Sequence, residues 1–392
     1  MEARAYEAPP LARYARLALV TGIAALGLCA IGGFFSPAQF FHSYLFAYMF
    51  WAGIALGCLA IVMLQYLTGG AWGLVLRRVL ESGTRTLPLV ALLFLPILFG
   101  LGRLYEWSHA DEVARDPLLA HKAPYLNAPF FVGRAVFYFA AWLALAYFLN
   151  RWSLEQDRGD DRRLSRKLQL LSSGGIVLYG LTVTFSSIDW VMSLEPHWYS
   201  TMYGVLFIAG QGLSAMAFVV AATILLARRE PMRDVVSAKH LHDWGKLLLA
   251  FVMFWSYVSF SQYLIIWAGN LPEEIPWYLR RLQGGWGWVG LALILFHFLL
   301  PFLLLLSRTA NENPRLLIFA AGLVLFMRLV DVFWLIAPVF TESRFRVHWM
   351  DLLAPIGIGG LWLAVFLGQL PKRPLVPVGD PRLSEALEHG SH

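Results

Sequence analysis

Cysteine and charge are both scarce in this chain, and each scarcity excludes something. Only 2 of its 392 residues are cysteines, Cys29 and Cys58. Each lies in an apolar run with no second cysteine or histidine at metal-ligand spacing. That excludes a disulfide-built secreted module and supports neither a zinc nor an iron–sulfur site. Both read as small buried apolar residues. Charged residues make up 14% of the chain, against about 25% in soluble domains. With 58% hydrophobic residues and a mean hydropathy of +0.60, a disordered chain or a nucleic-acid binder is excluded, because neither could keep so much apolar surface in water. A Walker motif, a dinucleotide fingerprint, a zincin histidine pair and a nucleophile elbow are missing too. His297 is the only histidine in the middle of an apolar span, so an internal haem or copper centre, which needs ligands facing one another at depth, is not expected. What is present is the composition of an integral membrane protein. Any redox chemistry belongs to partners or to a lipid-soluble carrier.

A membrane span needs about 20 mostly apolar residues, and the sequence offers ten such runs, separated by loops rich in Pro, Gly and charge. They lie near 15–35, 41–68, 86–104, 129–150, 168–190, 201–227, 244–268, 286–307, 315–337 and 352–370. The first follows Arg13 and Arg16, is too long for a signal-peptide core, and reads as a retained span. Trp72–Leu80, with Arg77 and Arg78, and Pro272–Leu282, with Trp277, Tyr278, Arg280 and Arg281, read as interfacial. Residues 1–371 form the membrane domain, and 372–392 form a Pro-rich, polar, mobile cytoplasmic tail.

Basic residues set the orientation. Leaving aside Arg134, Lys246 and Arg328, which fall within spans, 21 Lys and Arg lie on the side of the termini and 7 on the other. The positive-inside rule then makes both termini cytoplasmic and accounts for a pI near 9.3 without an anionic partner. Span 2 also echoes span 6 at an offset of 157: Ser43, Phe50, Ala52, Gly53, Leu56 and Ala60 fall on Ser200, Phe207, Ala209, Gly210, Leu213 and Ala217. The fold expected is all-α, with two four-helix bundles, spans 2–5 (41–190) and 6–9 (201–337), and a flanking helix at each end. Chance among apolar letters explains the echo equally well. Gly53 and Gly57 form a small-xxx-small pair suited to close helix approach.

Ionisable groups in hydrocarbon are costly, so each is either paired for structure or set on an ion or substrate path. Arg328 and Asp331 share one face of span 9 at pairing distance, and structural and functional readings are both open. His297 precedes Pro301 by four residues, so its carbonyl loses its helical partner. That polar spot is a proton relay or a kink satisfied by a neighbour. Asp189 at the end of span 5, with Glu195 and His197 beyond it, could gather or release protons at the non-cytoplasmic surface. Together with Tyr203 the cluster could instead hydrogen-bond a quinone head group. Asp243 and Lys246 enter span 7 from the cytoplasmic side, where snorkelling is the ordinary explanation.

Two stretches carry a family resemblance. Ser187-Ile-Asp-Trp-Val-Met-Ser-Leu-Glu-Pro-His-Trp-Tyr-Ser-Thr-Met-Tyr-Gly204 and Phe260-Ser-Gln-Tyr-Leu-Ile-Ile-Trp-Ala-Gly-Asn-Leu-Pro-Glu-Glu-Ile-Pro-Trp-Tyr-Leu-Arg-Arg281 resemble the F subunit of bacterial alternative complex III, a quinol:cytochrome c oxidoreductase. Length, ten spans and cytoplasmic termini agree over essentially the whole chain. The resemblance implies an NrfD-type, polysulfide-reductase-like fold in the bacterial cytoplasmic membrane. It implies partners: multihaem and monohaem cytochrome c subunits, an iron–sulfur subunit, small anchoring subunits, a paralogous ten-helix subunit and, outermost, a terminal oxidase. Haem c and iron–sulfur clusters then sit in those partners, and menaquinol or another quinol, the substrate, is oxidised in the paralogous subunit. No cofactor is bound by this chain, which serves as scaffold and proton path.

Three functions follow. The first is a non-catalytic subunit with a proton route through Asp243 and Lys246 on one side, Asp189, Glu195 and His197 on the other, and His297, Arg328 and Asp331 between. The second is a quinone-binding catalytic subunit with its site near Asp189, His197 and Tyr203. The third is a secondary transporter. It is disfavoured because broken helices do not recur at matching positions in the two halves.

Overall fold

The computed structural model describes residues 7–159, 162–341 and 344–384, and all regular structure among them is helical. Ten helices are long and apolar enough to cross a membrane: span 1 (Ala12–Phe35), span 2 (Pro37–Thr68), span 3 (Arg77–Phe99), span 4 (Ala128–Gln156), span 5 (Arg163–Leu194), span 6 (Tyr203–Leu226), span 7 (Ala238–Gly269), span 8 (Trp286–Leu306), span 9 (Pro314–Phe340) and span 10 (Trp349–Lys372). The chain is a multi-pass membrane protein. Local chemistry sets several starts. Asn127 accepts from the Phe130 amide at 2.9 Å ahead of span 4, and Asn313 caps span 9, each just before a proline in the first turn. Ser237 and His240 form a reciprocal cap on span 7, which ends at Asn270 in the left-handed region, φ 48°.

Spans 2 and 6, the echo pair, are the central helices. Their most apolar stretches are 89% and 72% buried, against 22% for spans 1 and 8, whose outward leucines and phenylalanines are left for lipid. Gly57 is what lets the two meet: a Cβ there would lie 2.0 Å from the Gln211 carbonyl oxygen. Tyr179 of span 5 donates to the Gln211 side chain at 2.7 Å at the same junction. Span 2 neighbours 3 and 5, span 4 neighbours 3 and 5, span 6 neighbours 7 and 9, and span 8 neighbours 7 and 9. Spans 1 and 10, at opposite ends of the sequence, pack on one another. They cross where a Cβ on Gly360 would fall 2.5 Å from both the Ala18 carbonyl oxygen and Gly22.

Three expectations need correction. Span 3 starts at Arg77 rather than near 86, and it runs in pieces, Arg77–Thr84, Leu87–Leu93 and Leu95–Phe99. Arg77, Arg78 and Glu81 are buried in it instead of lying at an interface. Partners distant in sequence make this possible. Arg78 donates to Glu81 (2.7 Å), to Ser153 (3.1 Å) and to Asp157, while Arg77 pairs with Asp380 at 2.6 Å. Nor is the described part of the tail mobile: Leu375, Val376 and Leu383 are buried, and Arg373 reaches both Glu81 and Asn150 at 3.1 Å. Residues 385–392 lie outside the described residues. The second interfacial stretch forms the short helix Ile275–Leu282, which buries Trp277 and Arg281 against the bundle.

Candidate functional site

The apolar run of span 9 puts Arg328 and Asp331 one helical turn apart, and they form a buried ion pair. Trp255 of span 7 donates its indole N–H to the same carboxylate oxygen at 3.1 Å. The guanidinium is seated against Gly210 of span 6, with the Phe207 ring 6.0 Å away. His297 of span 8 joins the cluster edge-on to Trp255, centroids 4.2 Å apart at 73°. It is fully buried, and neither ring nitrogen has a hydrogen-bond partner. The backbone around it, Leu293–Leu299, is a π-helix, with the Leu300 N–H donating to the Leu295 carbonyl. Widening the helix just before Pro301 accommodates a residue without an amide hydrogen, and such bulges concentrate at functional sites. Spans 8 and 9 thus bring a carboxylate, a guanidinium and an imidazole together in an apolar interior, with Trp255 of span 7 between the ion pair and the imidazole. Such a group could pass a proton between the carboxylate and the imidazole by rearranging one ion pair.

Asp189 lies apart from this cluster. It is fully buried and accepts from Arg134 through both carboxylate oxygens (2.8 and 2.9 Å) and from the Tyr138 hydroxyl (2.7 Å). Arg134 is itself held between the Tyr125 and Phe130 rings, 3.8 and 4.5 Å away, and donates to the Tyr125 carbonyl. Three donors, two from Arg134 and one from Tyr138, hold the Asp189 side chain in place and tie span 4 to span 5.

Glu195 does something the sequence did not disclose. It accepts from Arg280 at 2.7 Å and from Arg281 at 2.8 Å, and Arg281 also donates to the Leu335 carbonyl at 2.7 Å. Arg281 lies over the Trp277 ring, 3.7 Å from its centre, and Trp277 stacks on Trp198 at 4.7 Å and 15°. The two stretches quoted for their resemblance therefore close on one another through an ion pair and a tryptophan stack. His197, by contrast, points out and pairs with Asp116 at 2.5 Å, the two side chains 57% and 30% exposed. The hydrogen bond from His197 holds the Asp116 carboxyl below its ordinary value. Tyr203 is buried against Trp198 and Phe207. Asp189, His197 and Tyr203 therefore have separate surroundings and do not converge on one site.

On the other face, Asp243 is half-buried and Lys246 exposed, both in the first turns of span 7. Lys246 is nine residues before Trp255, about 13 Å along the axis at 1.5 Å per residue. Asn311 lies at the level of Lys246, buried beside Gly245 with its Oδ1 unpartnered. Asn311 and the Arg77–Arg78–Glu81 group were missed as buried polar groups. For the latter, the i,i+3 spacing of Arg78 and Glu81 was a visible signal.

No family model matches the chain, and no curated protein matches it.

Proposed function

We propose that this chain is a cofactor-free membrane subunit of a respiratory quinol:cytochrome c oxidoreductase of the alternative complex III kind. In this reading it sits in the bacterial cytoplasmic membrane with both termini cytoplasmic, scaffolds haem- and iron–sulfur-bearing partners, and conducts protons through the Asp331, Arg328 and His297 cluster. The fold is then two four-helix bundles, spans 2–5 and 6–9, flanked by spans 1 and 10; the two rings of neighbouring helices support that arrangement. The observation that carries the reading is the meeting of the two resembling stretches at Glu195, Arg280 and Arg281, since residues 187–204 and 260–281 form one joint rather than two unrelated loops. The proton role rests on the buried ion pair of span 9, because an ionisable cluster in apolar surroundings is a functional candidate by default.

A catalytic quinone site centred on Asp189, His197 and Tyr203 has less support, since each side chain is engaged elsewhere. The test is depletion. Removing a tagged copy of this chain from gently solubilised membranes should remove quinol:cytochrome c reductase activity with it. Activity left wholly in the unbound fraction would refute the proposal.

A further inference from the structure

Between spans 7, 8 and 9, under the short helix Ile275–Leu282, lies a cavity of about 770 Å³. Its mouth is framed by exposed apolar side chains, among them Tyr257, Phe260 and Ile294, on the face the protein turns to lipid. Its inner wall is different. Gln262 is 2% exposed, lines the cavity, and has a side-chain oxygen with no hydrogen-bond partner. The indole N–H of Trp334, another lining residue, is buried and equally unpartnered. Ser256 and Ser259 also line it, but each donates to a carbonyl of its own helix. One acceptor and one donor are therefore left unused at the wall of an apolar chamber. Leaving such groups unpaired in a buried setting is unfavourable, and an occupant relieves that cost by pairing with them.

The lining also defines the occupant. Among the described residues that line the cavity none is basic, and the one acid, Asp331, is already neutralised by Arg328. A phosphate or carboxylate head would meet no counter-charge. Trp255, Trp277, Tyr278 and Trp334 supply flat aromatic walls, suited to stacking on a planar ring. The volume falls within the range of small-molecule sites, about 300–1,000 Å³. We infer that this cavity binds a lipid-soluble amphiphile with a planar, uncharged head, a hydroxyl of which donates to the Gln262 side-chain oxygen while a hydroxyl or carbonyl oxygen accepts from the Trp334 indole, with its apolar chain leaving towards lipid. The inference does not depend on the respiratory reading.

The probe is heptyl-hydroxyquinoline N-oxide, a fluorescent planar amphiphile, titrated into the full chain in nanodiscs of phosphatidylethanolamine and phosphatidylglycerol, together with whatever subunits co-purify. Saturable quenching is expected. Gln262→Leu should weaken it about tenfold, the effect of one lost hydrogen bond. Gly290→Leu should abolish it. A Cβ at Gly290 meets only the Trp334 ring, at 3.8 Å or more, so the added side chain fills the cavity rather than clashing with backbone. Gly53→Ala, remote from the cavity, should bind as wild type does. If Gly290→Leu does not fold, as judged by thermal unfolding, Gln262→Leu carries the test. Absence of saturable quenching, or quenching that survives both cavity substitutions unchanged, overturns the inference. So does native mass spectrometry that finds only phospholipid, undisplaced by the probe. If haem-bearing partners co-purify while the probe fails, the cavity assignment falls alone.

Discussion

Gly210 on span 6 lies directly against the guanidinium of Arg328 on span 9: a Cβ there would come within 2.2 Å of Cζ. The buried cation fits because this residue has no side chain. Its counterpart in the span 2 echo, Gly53, faces only the Gln211 side chain, at 3.5 Å. Gly210→Ala should therefore destabilise the fold by about 1–3 kcal/mol, the range for an overpacked core. Gly53→Ala should be close to neutral. Thermal unfolding of both variants in nanodiscs gives the comparison, and equal losses would mean that Arg328 has room to move.

Removing Asp331 leaves Arg328 buried without a counter-ion, which costs about 3–5 kcal/mol. Asp331→Asn should lower stability and, in reconstituted vesicles, lower proton translocation while quinol oxidation persists. Arg328→Gln combined with Asp331→Asn should recover much of the stability, since no lone charge is left, and recover none of the translocation. If the proton-to-electron ratio is unchanged in both variants, the ion pair is structural and off the path.

Glu195 and Asp116 make contrasting ion pairs on the same face of the protein. The first meets fully buried Arg281; the second meets His197 at the surface. Glu195→Gln should loosen the joint between the loop before span 6 and the helix Ile275–Leu282, seen as faster hydrogen exchange in both segments, with a loss of about 3 kcal/mol or more. Asp116→Asn should change stability little, as exposed pairs do. A large effect from Asp116→Asn with none from Glu195→Gln would invert this assignment.

The docked tail supplies a pH dependence. Burial works against ionised Asp380, but Arg77 and Arg382 more than offset it and bring its pKa from 3.8 to about 2. A depressed carboxyl stabilises the docked form at pH values above 3.8 and loses that contribution as pH falls towards about 2. Hydrogen exchange in residues 372–384 should stay slow down to about pH 4 and accelerate below it. At neutral pH, Asp380→Asn should reproduce the acid result. Fast exchange in the wild type at pH 7 would contradict the docking.

Much of this was legible in the sequence, and the failures have one cause. Spans 2 and 6 announced themselves by length and apolarity, and Arg328 with Asp331 by helical spacing, because both signals are local. Span 3 was misplaced because hydropathy counts Arg77, Arg78 and Glu81 as penalties, while their neutralising partners Asp157, Arg373 and Asp380 come from distant segments. Asp189 was read as a polar group at the membrane surface. Its bidentate partner Arg134, 55 positions away, could be paired with it only through the packing of spans 4 and 5. Glu195 was read as a surface acid for the same reason.

The most direct measurement of the central claim is the subunit composition and visible spectrum of what co-purifies with this chain from gently solubilised native membranes. The account predicts c-type haem absorption, an iron–sulfur protein and a paralogous ten-helix subunit, held in constant ratio to this chain. A colourless chain that purifies alone, with quinol:cytochrome c activity running elsewhere, would contradict it.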